Sequence, residues 1–142
     1  MNRFEAWAVH LGNLLVGLTG LVYAWMRYLL SPADPYAVVN HPWQPAVQHA
    51  HVLAAPLLVF ACGLIWRHHA WKQLATGVPV RRRSGLALLL TLAPMVASGY
   101  LLQTAVDPAW HRAWVWLHLA SSGLWLVGSL AHLLAPSRPR SR

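Results

Sequence analysis

Histidines stand inside long apolar stretches of this 142-residue chain, at spacings that suit metal ligation. His118 and His132 are 14 residues apart, so on a helix they project within about 40° of one another. The same spacing separates them by roughly 21 Å along the helix axis. Ionisable side chains are costly in hydrocarbon and usually mark a site there. The pair therefore predicts two sites, one near each end of a single helix.

Two further histidines supply partners at these two depths. His10 lies near the start of the first apolar stretch and is expected level with His132, whereas His51 lies near the start of the second and is expected level with His118. Each pair could offer two neutral imidazoles to opposite faces of a haem iron, which is the ligand set of six-coordinate b-type haem. For any one of these histidines, a hydrogen bond between helices is the alternative.

The ligand in the second apolar stretch has two candidates. His49 precedes His51 by two residues and points about 200° away from it on a helix, so only one of them can enter the pair with His118. We prefer His51 because it lies deeper in the stretch, and His49 stays the alternative. His68 and His69 follow Arg67, where a charged collar at the membrane interface is expected rather than a metal site.

A haem held in this way also needs cations for its propionates and small residues beside its ring. Arg27 and Arg112 are expected to serve the propionates at one end, and Arg3 and Arg67 at the other. The small residues that could admit the ring are Gly17, Gly20, Ala54, Gly63, Gly99, Ser121, Ser122, Gly123 and Gly128.

Four stretches must position these residues, namely 6–26, 46–66, 85–102 and 113–134. Each has about the length that crosses roughly 30 Å of hydrocarbon, and none contains Lys, Arg, Asp or Glu. An open sheet facing lipid would leave backbone groups unpaired. The sequence therefore predicts an all-α integral membrane four-helix bundle, with residues 1–142 forming one domain. Loops rich in proline separate the stretches, and Pro56 and Pro94 fall inside helices.

Composition excludes several other classes of protein. The chain is 57% hydrophobic and 10% charged, which is unlike a disordered protein, and its single cysteine, Cys62, excludes an intrachain disulfide framework. The formal net charge is +8, but the basic residues are scattered among apolar runs instead of lining a polar face. Anionic membrane lipid is therefore the expected negative partner, and nucleic acid is not.

The distribution of basic residues predicts the orientation in the membrane. Nine basic residues fall on one side of the predicted helices and two, Arg27 and Arg112, on the other. Loops that face the cytoplasm carry the excess of Lys and Arg, so both termini are expected to be cytoplasmic. The residues on that side are Arg3, Arg67, Lys72, Arg81, Arg82, Arg83, Arg138, Arg140 and Arg142.

In His10, His51 and the stretch from His118 to His132, the chain resembles the bacterial four-helix di-haem cytochromes b. This superfamily includes the cytochrome b subunits of membrane hydrogenases and formate dehydrogenases and the small quinone-linked b cytochromes. The resemblance implies two haem b groups. One would lie between His10 and His132 toward the cytoplasm, and the other between His51 and His118 toward the periplasm.

The resemblance also implies a function and a location. The chain would pass electrons between a periplasmic cytochrome or dehydrogenase subunit and the quinone pool, as part of a respiratory complex in the bacterial inner membrane. The first alternative is a stand-alone quinone oxidoreductase that resembles superoxide oxidase. Two others, a His-lined metal permease and a structural membrane anchor, would contain no haem.

Overall fold

The computed structural model describes residues 2–76 and 82–134, except for the side chains of His68, Leu74, Arg82 and Arg83. The elements in these ranges are α1 (Arg3–Tyr28), α2 (Gln44–Ile65), a π-helical segment (Trp66–Trp71), α3 (Lys72–Ala75), α4 (Arg82–Thr104) and α5 (Pro108–Leu134). The described ranges contain no strand, and the all-α prediction is confirmed. The predicted break at residues 77–79 and the arginine-rich tail lie outside them.

Within the described residues, four helices are long and apolar enough to cross a membrane, namely α1, α2, α4 and α5. They contain the four predicted stretches, apart from Trp66 at the end of the second. Large apolar side chains remain exposed along them, among them Leu53 (75% exposed), Leu124 (64%) and Val127 (68%). Apolar surface of this extent suits lipid and not water, which indicates a multi-pass membrane protein.

The chain divides into two units, residues 1–68 and 69–142. The first contains α1 and α2, and we call these two helices the N-terminal hairpin. The second contains α4 and α5, which we call the C-terminal hairpin. The expectation of one domain over residues 1–142 stays a prediction.

In the N-terminal hairpin, α1 and α2 run antiparallel and approach closely. The backbone of Gly12 lies so near Leu58 that a Cβ at residue 12 would stand 3.1 Å from the Leu58 Cα. A capping box between Asn2 and Glu5 starts α1, with hydrogen bonds of 2.7 and 2.9 Å. Such reciprocal bonds satisfy backbone donors that the first helical turn leaves unpaired.

The C-terminal hairpin is also antiparallel, and three contacts define its register. Gly99 lies against His118, Leu88 against Gly128, and Gly85 against His132. In this register, three hydroxyl residues spaced by seven on α4 lie opposite three ring-bearing residues spaced by seven on α5, and we call each set a stripe. The α4 stripe is Ser84, Thr91 and Ser98, and the α5 stripe is His118, Trp125 and His132.

The prolines lie where the sequence predicts them, either at helix ends or inside helices, and one helix end differs from the prediction. Asp107 accepts hydrogen bonds from the backbone N–H groups of Ala109 and Trp110, and α5 begins at Pro108, where the sequence predicts a break. Pro56 and Pro94 lie inside α2 and α4 as expected. The difference is the π-helical segment, which continues the backbone beyond the predicted end of the second stretch. Hydrophobic period alone does not separate such a short π turn from α-helix.

Candidate functional site

His51, on α2, is held by the backbone of α1. Its Nδ1 lies 3.1 Å from the carbonyl oxygen of Val16 and 3.1 Å from the Oγ1 of Thr19. The ring rests on Gly20, where a Cβ would stand 2.9 Å from the His51 Cε1. A carbonyl oxygen can only accept a hydrogen bond, so Nδ1 carries the hydrogen. In a neutral imidazole this tautomer places the lone pair for metal ligation on Nε2.

His118, on α5, is held by α4 in the same way. Its Nδ1 lies 3.0 Å from the carbonyl oxygen of Met95 and 3.3 Å from the Oγ of Ser98. A Cβ on Gly99 would stand 3.1 Å from the His118 Cε1. The carbonyl again requires the hydrogen on Nδ1, which puts the lone pair of a neutral ring on Nε2.

His132, also on α5, contacts α4 at Ser84, seven residues before Thr91. Its Nδ1 lies 2.9 Å from the Oγ of Ser84, and Gly85 faces its ring. The ring also meets that of His69 edge to face, with centroids 6.5 Å apart. A serine hydroxyl both donates and accepts, so this hydrogen bond is compatible with either tautomer. Both His118 and His132 thus lie on the face of α5 that meets α4, in agreement with their 14-residue spacing.

His10 has a different environment, on the exposed side of α1. It borders an apolar cavity of about 400 Å³. The other described residues that line the cavity are Phe4, Trp7, Ala8, Leu11 and Leu14, all from α1.

Each predicted ligand pair takes one histidine from each unit, so both pairings stay predictions. His51 is partly buried against α1, whereas His49 is exposed. This difference favours His51 as the ligand of α2, and the choice between the two also stays a prediction. His69, which was expected only to form part of a charged collar at the interface, contacts the ring of His132.

The four arginines expected at the propionates are all exposed. In the N-terminal hairpin, Arg3 begins α1 and Arg67 follows α2, so the two lie at one end while Arg27 lies at the other. Arg112 is in the first turns of α5. The propionate roles of these four arginines, and the placement of Arg27 with Arg112 at one end, stay predictions.

Some of the small residues expected to admit a haem ring lie against other side chains, and the expectation stays a prediction. Gly20 and Gly99 are covered by the imidazoles of His51 and His118, because a glycine lets a ring reach the helix backbone. Gly128 lies against Leu88. Among the described residues, no atom outside their own helix turns lies within 4 Å of a Cβ built at Gly63 or Gly123.

The sequence interpretation missed the hydroxyls that hold these histidines. Each belongs to a Ser-Gly or Thr-Gly dipeptide, namely Thr19-Gly20, Ser84-Gly85 and Ser98-Gly99. The last two are 14 residues apart, the same interval as His118 and His132, and this matching interval is a signal that the sequence contains.

No group of three or more His, Cys, Asp or Glu side chains is arranged to hold a metal ion within the part of the chain that the structure describes. Six-coordinate haem needs only two protein ligands. In comparisons with known proteins, no family, curated protein or solved structure matches the chain.

Proposed function

We propose that the chain is a membrane electron-transfer protein that carries two b-type haems, each held by two histidines. The observation that supports the proposal most is the hydrogen bond from Nδ1 of His51 and of His118 to a main-chain carbonyl. Histidines that ligate metals almost always donate their other ring N–H to a carbonyl, a carboxylate or water. A hydrogen bond between helices was the alternative role for each histidine, but because it uses Nδ1 it is compatible with ligation through Nε2. It also fixes the tautomer and the orientation of the ring.

The side chains available fit this group. The membrane-length helices offer imidazole side chains, and imidazole nitrogen is a common axial ligand of haem iron. We assign one haem to His51 and His118 and the other to His10 and His132. When bound, the haem supplies one-electron redox chemistry. The chain's own residues orient the ligands, exclude water and pair the propionates.

The proposal includes a location and partners. The chain would lie in the bacterial inner membrane with both termini in the cytoplasm, as a subunit of a respiratory complex. Arg27 and Arg112 would pair propionates near the periplasm, and Arg3 and Arg67 near the cytoplasm. Electrons would pass between a periplasmic cytochrome or dehydrogenase subunit and the quinone pool, with no catalytic residue in this chain.

A count of haems tests the proposal. The full-length protein, purified in detergent, is expected to show a b-type reduced-minus-oxidised spectrum and two haems per chain by pyridine haemochrome. His51→Ala and His118→Ala should lose the same haem, while His10→Ala and His132→Ala should lose the other. His49→Ala is the matched control, because His49 is an exposed histidine on the same helix and is expected to keep both haems.

The outcomes separate the alternatives. A colourless protein from haem-replete cells would overturn the proposal and favour the permease or the anchor. Loss of a haem in His49→Ala, with both haems kept in His51→Ala, would move the α2 ligand to His49. Steady-state turnover with quinone by the purified chain alone would assign it to the stand-alone oxidoreductases.

A further inference from the structure

Three histidines meet the same local arrangement on the helix that precedes them. His51 faces Thr19-Gly20, His118 faces Ser98-Gly99 and His132 faces Ser84-Gly85. In each case the glycine lies under the ring and the hydroxyl lies within 3.3 Å of Nδ1. The same arrangement of a hydroxyl, a glycine and a histidine thus occurs in both hairpins, although their sequences differ.

The backbone completes this arrangement in two of the three cases. The carbonyl that accepts from Nδ1 belongs to the residue three positions before the hydroxyl, Val16 before Thr19 and Met95 before Ser98. A helical carbonyl is normally covered by the side chain of the following turn. Gly20 and Gly99 follow Val16 and Met95 by four residues and have no side chain, so the two carbonyl oxygens stay open to the imidazoles. The residue three positions before Ser84 lies outside the described residues.

The hydroxyls have a defined direction. Thr19 donates to the carbonyl of Leu15 at 2.6 Å, and Ser98 donates to the carbonyl of Pro94 at 2.6 Å. With the hydroxyl hydrogen directed to its own helix, the oxygen presents a lone pair to the Nδ1–H of the histidine. The imidazole N–H is therefore shared between two acceptors, a carbonyl and a hydroxyl oxygen.

We propose that Thr19, Ser98 and Ser84 are positioning residues that fix the ring orientation of His51, His118 and His132 and tune the potentials of the haems they ligate. This inference rests on the proposed function. An acceptor on Nδ1–H raises the electron donation of the ring to the iron, which favours the oxidised state and lowers the midpoint potential. Removal of the hydroxyl should therefore raise the potential of one particular haem.

The test measures the midpoint potential of each haem in the full-length protein. Thr19→Val removes the hydroxyl at nearly constant volume, and Ser98→Ala removes it from the other ligand assigned to the same haem. Both should change the redox equilibrium of that haem by up to tenfold, a rise of about 60 mV or less for one electron. Ser84→Ala should instead raise the potential of the haem that His132→Ala removes.

Two control variants isolate the positioning effect. Thr91 lies seven residues from both serines on the same stripe, and its hydroxyl bonds to the carbonyls of Ala87 and Leu88. Thr91→Val should leave both potentials unchanged. Thr19→Ser retains the hydroxyl and should restore the value measured for the unmodified chain, which a role in packing alone would not predict.

A second measurement does not depend on haem. Nitrogen-15 NMR of the histidines in the full-length chain, without haem, should show the Nδ1–H tautomer at His51 and His118. The fraction of this tautomer should fall in Thr19→Val and in Ser98→Ala, and stay unchanged in Thr91→Val. Absence of haem with this tautomer pattern would refute the proposed function and leave the role of the hydroxyls in ring orientation. Bound haem with potentials that do not differ between Ser98→Ala and Thr91→Val would overturn the inference.

Discussion

Gly20→Ala should weaken the N-terminal hairpin although alanine is the better helix former. The new Cβ would stand 2.9 Å from the His51 Cε1, and carbon atoms in contact need about 3.5–4.0 Å. The ring must therefore move by about 0.6 Å or more, which stretches the 3.1 Å hydrogen bond from Nδ1 to Val16. Overpacking costs about 1–3 kcal/mol and the hydrogen bond about 1 kcal/mol, while alanine recovers about 0.5–1 kcal/mol. We expect a net loss of about 2 kcal/mol.

Gly63→Ala is the matched control for this prediction. Gly63 is also inside a membrane-length helix, but no atom of the described chain outside its own helix turns lies within 4 Å of a Cβ built there. This substitution should be neutral or stabilise by about 0.5 kcal/mol. The free energy of unfolding, measured by denaturant titration of the detergent-solubilised protein, should thus separate the two variants by about 2 kcal/mol. Equal stability of the two variants would refute the close contact between α1 and the imidazole.

Three further substitutions or reactions test other contacts. Leu58→Ala should lower the unfolding free energy by about 2–5 kcal/mol because Leu58 is 2% exposed. Leu53 is 75% exposed, so Leu53→Ala should cost far less in the same titration. Asn40→Ala removes the 2.9 Å hydrogen bond to the Arg27 carbonyl and should cost about 0.5–1.5 kcal/mol, and an unchanged titration curve would contradict that bond. Cys62 is 9% exposed and should react with a maleimide only after unfolding, so rapid labelling of the folded protein would contradict its burial.

The helices could be predicted from the sequence because the membrane leaves few alternatives. An apolar stretch without charges, such as 113–134, has to satisfy its own backbone groups, and helix is the simplest way to do so. Boundaries were harder, since α1 begins at Arg3 and ends at Tyr28, beyond the apolar stretch at both ends. The N-cap at Asn2 lets α1 begin before the apolar stretch, and hydropathy alone cannot predict a cap.

The candidate site could be predicted only in part. Spacing placed His118 and His132 on one face of α5, since helical geometry fixes angle and rise. The hydroxyls of Thr19 and Ser98 could not be assigned from periodicity, because their contacts depend on the register between two helices. That register is set by which glycines let the backbones approach, and many glycines look alike in a sequence. Gly20 meets an imidazole, for example, whereas Gly63 has open space.

The hydrogen bonds that hold His51 and His118 also affect how the chain can enter a membrane. Both are made within a hairpin, so the polar N–H of each imidazole is satisfied as soon as two consecutive helices have left the translocon. An unsatisfied polar group in hydrocarbon costs several kcal/mol, roughly the stability of a small protein domain. Each helical pair can therefore insert during synthesis without the N–H of His51 or His118 opposing the transfer, and the proposed haems would be loaded in a separate, later step.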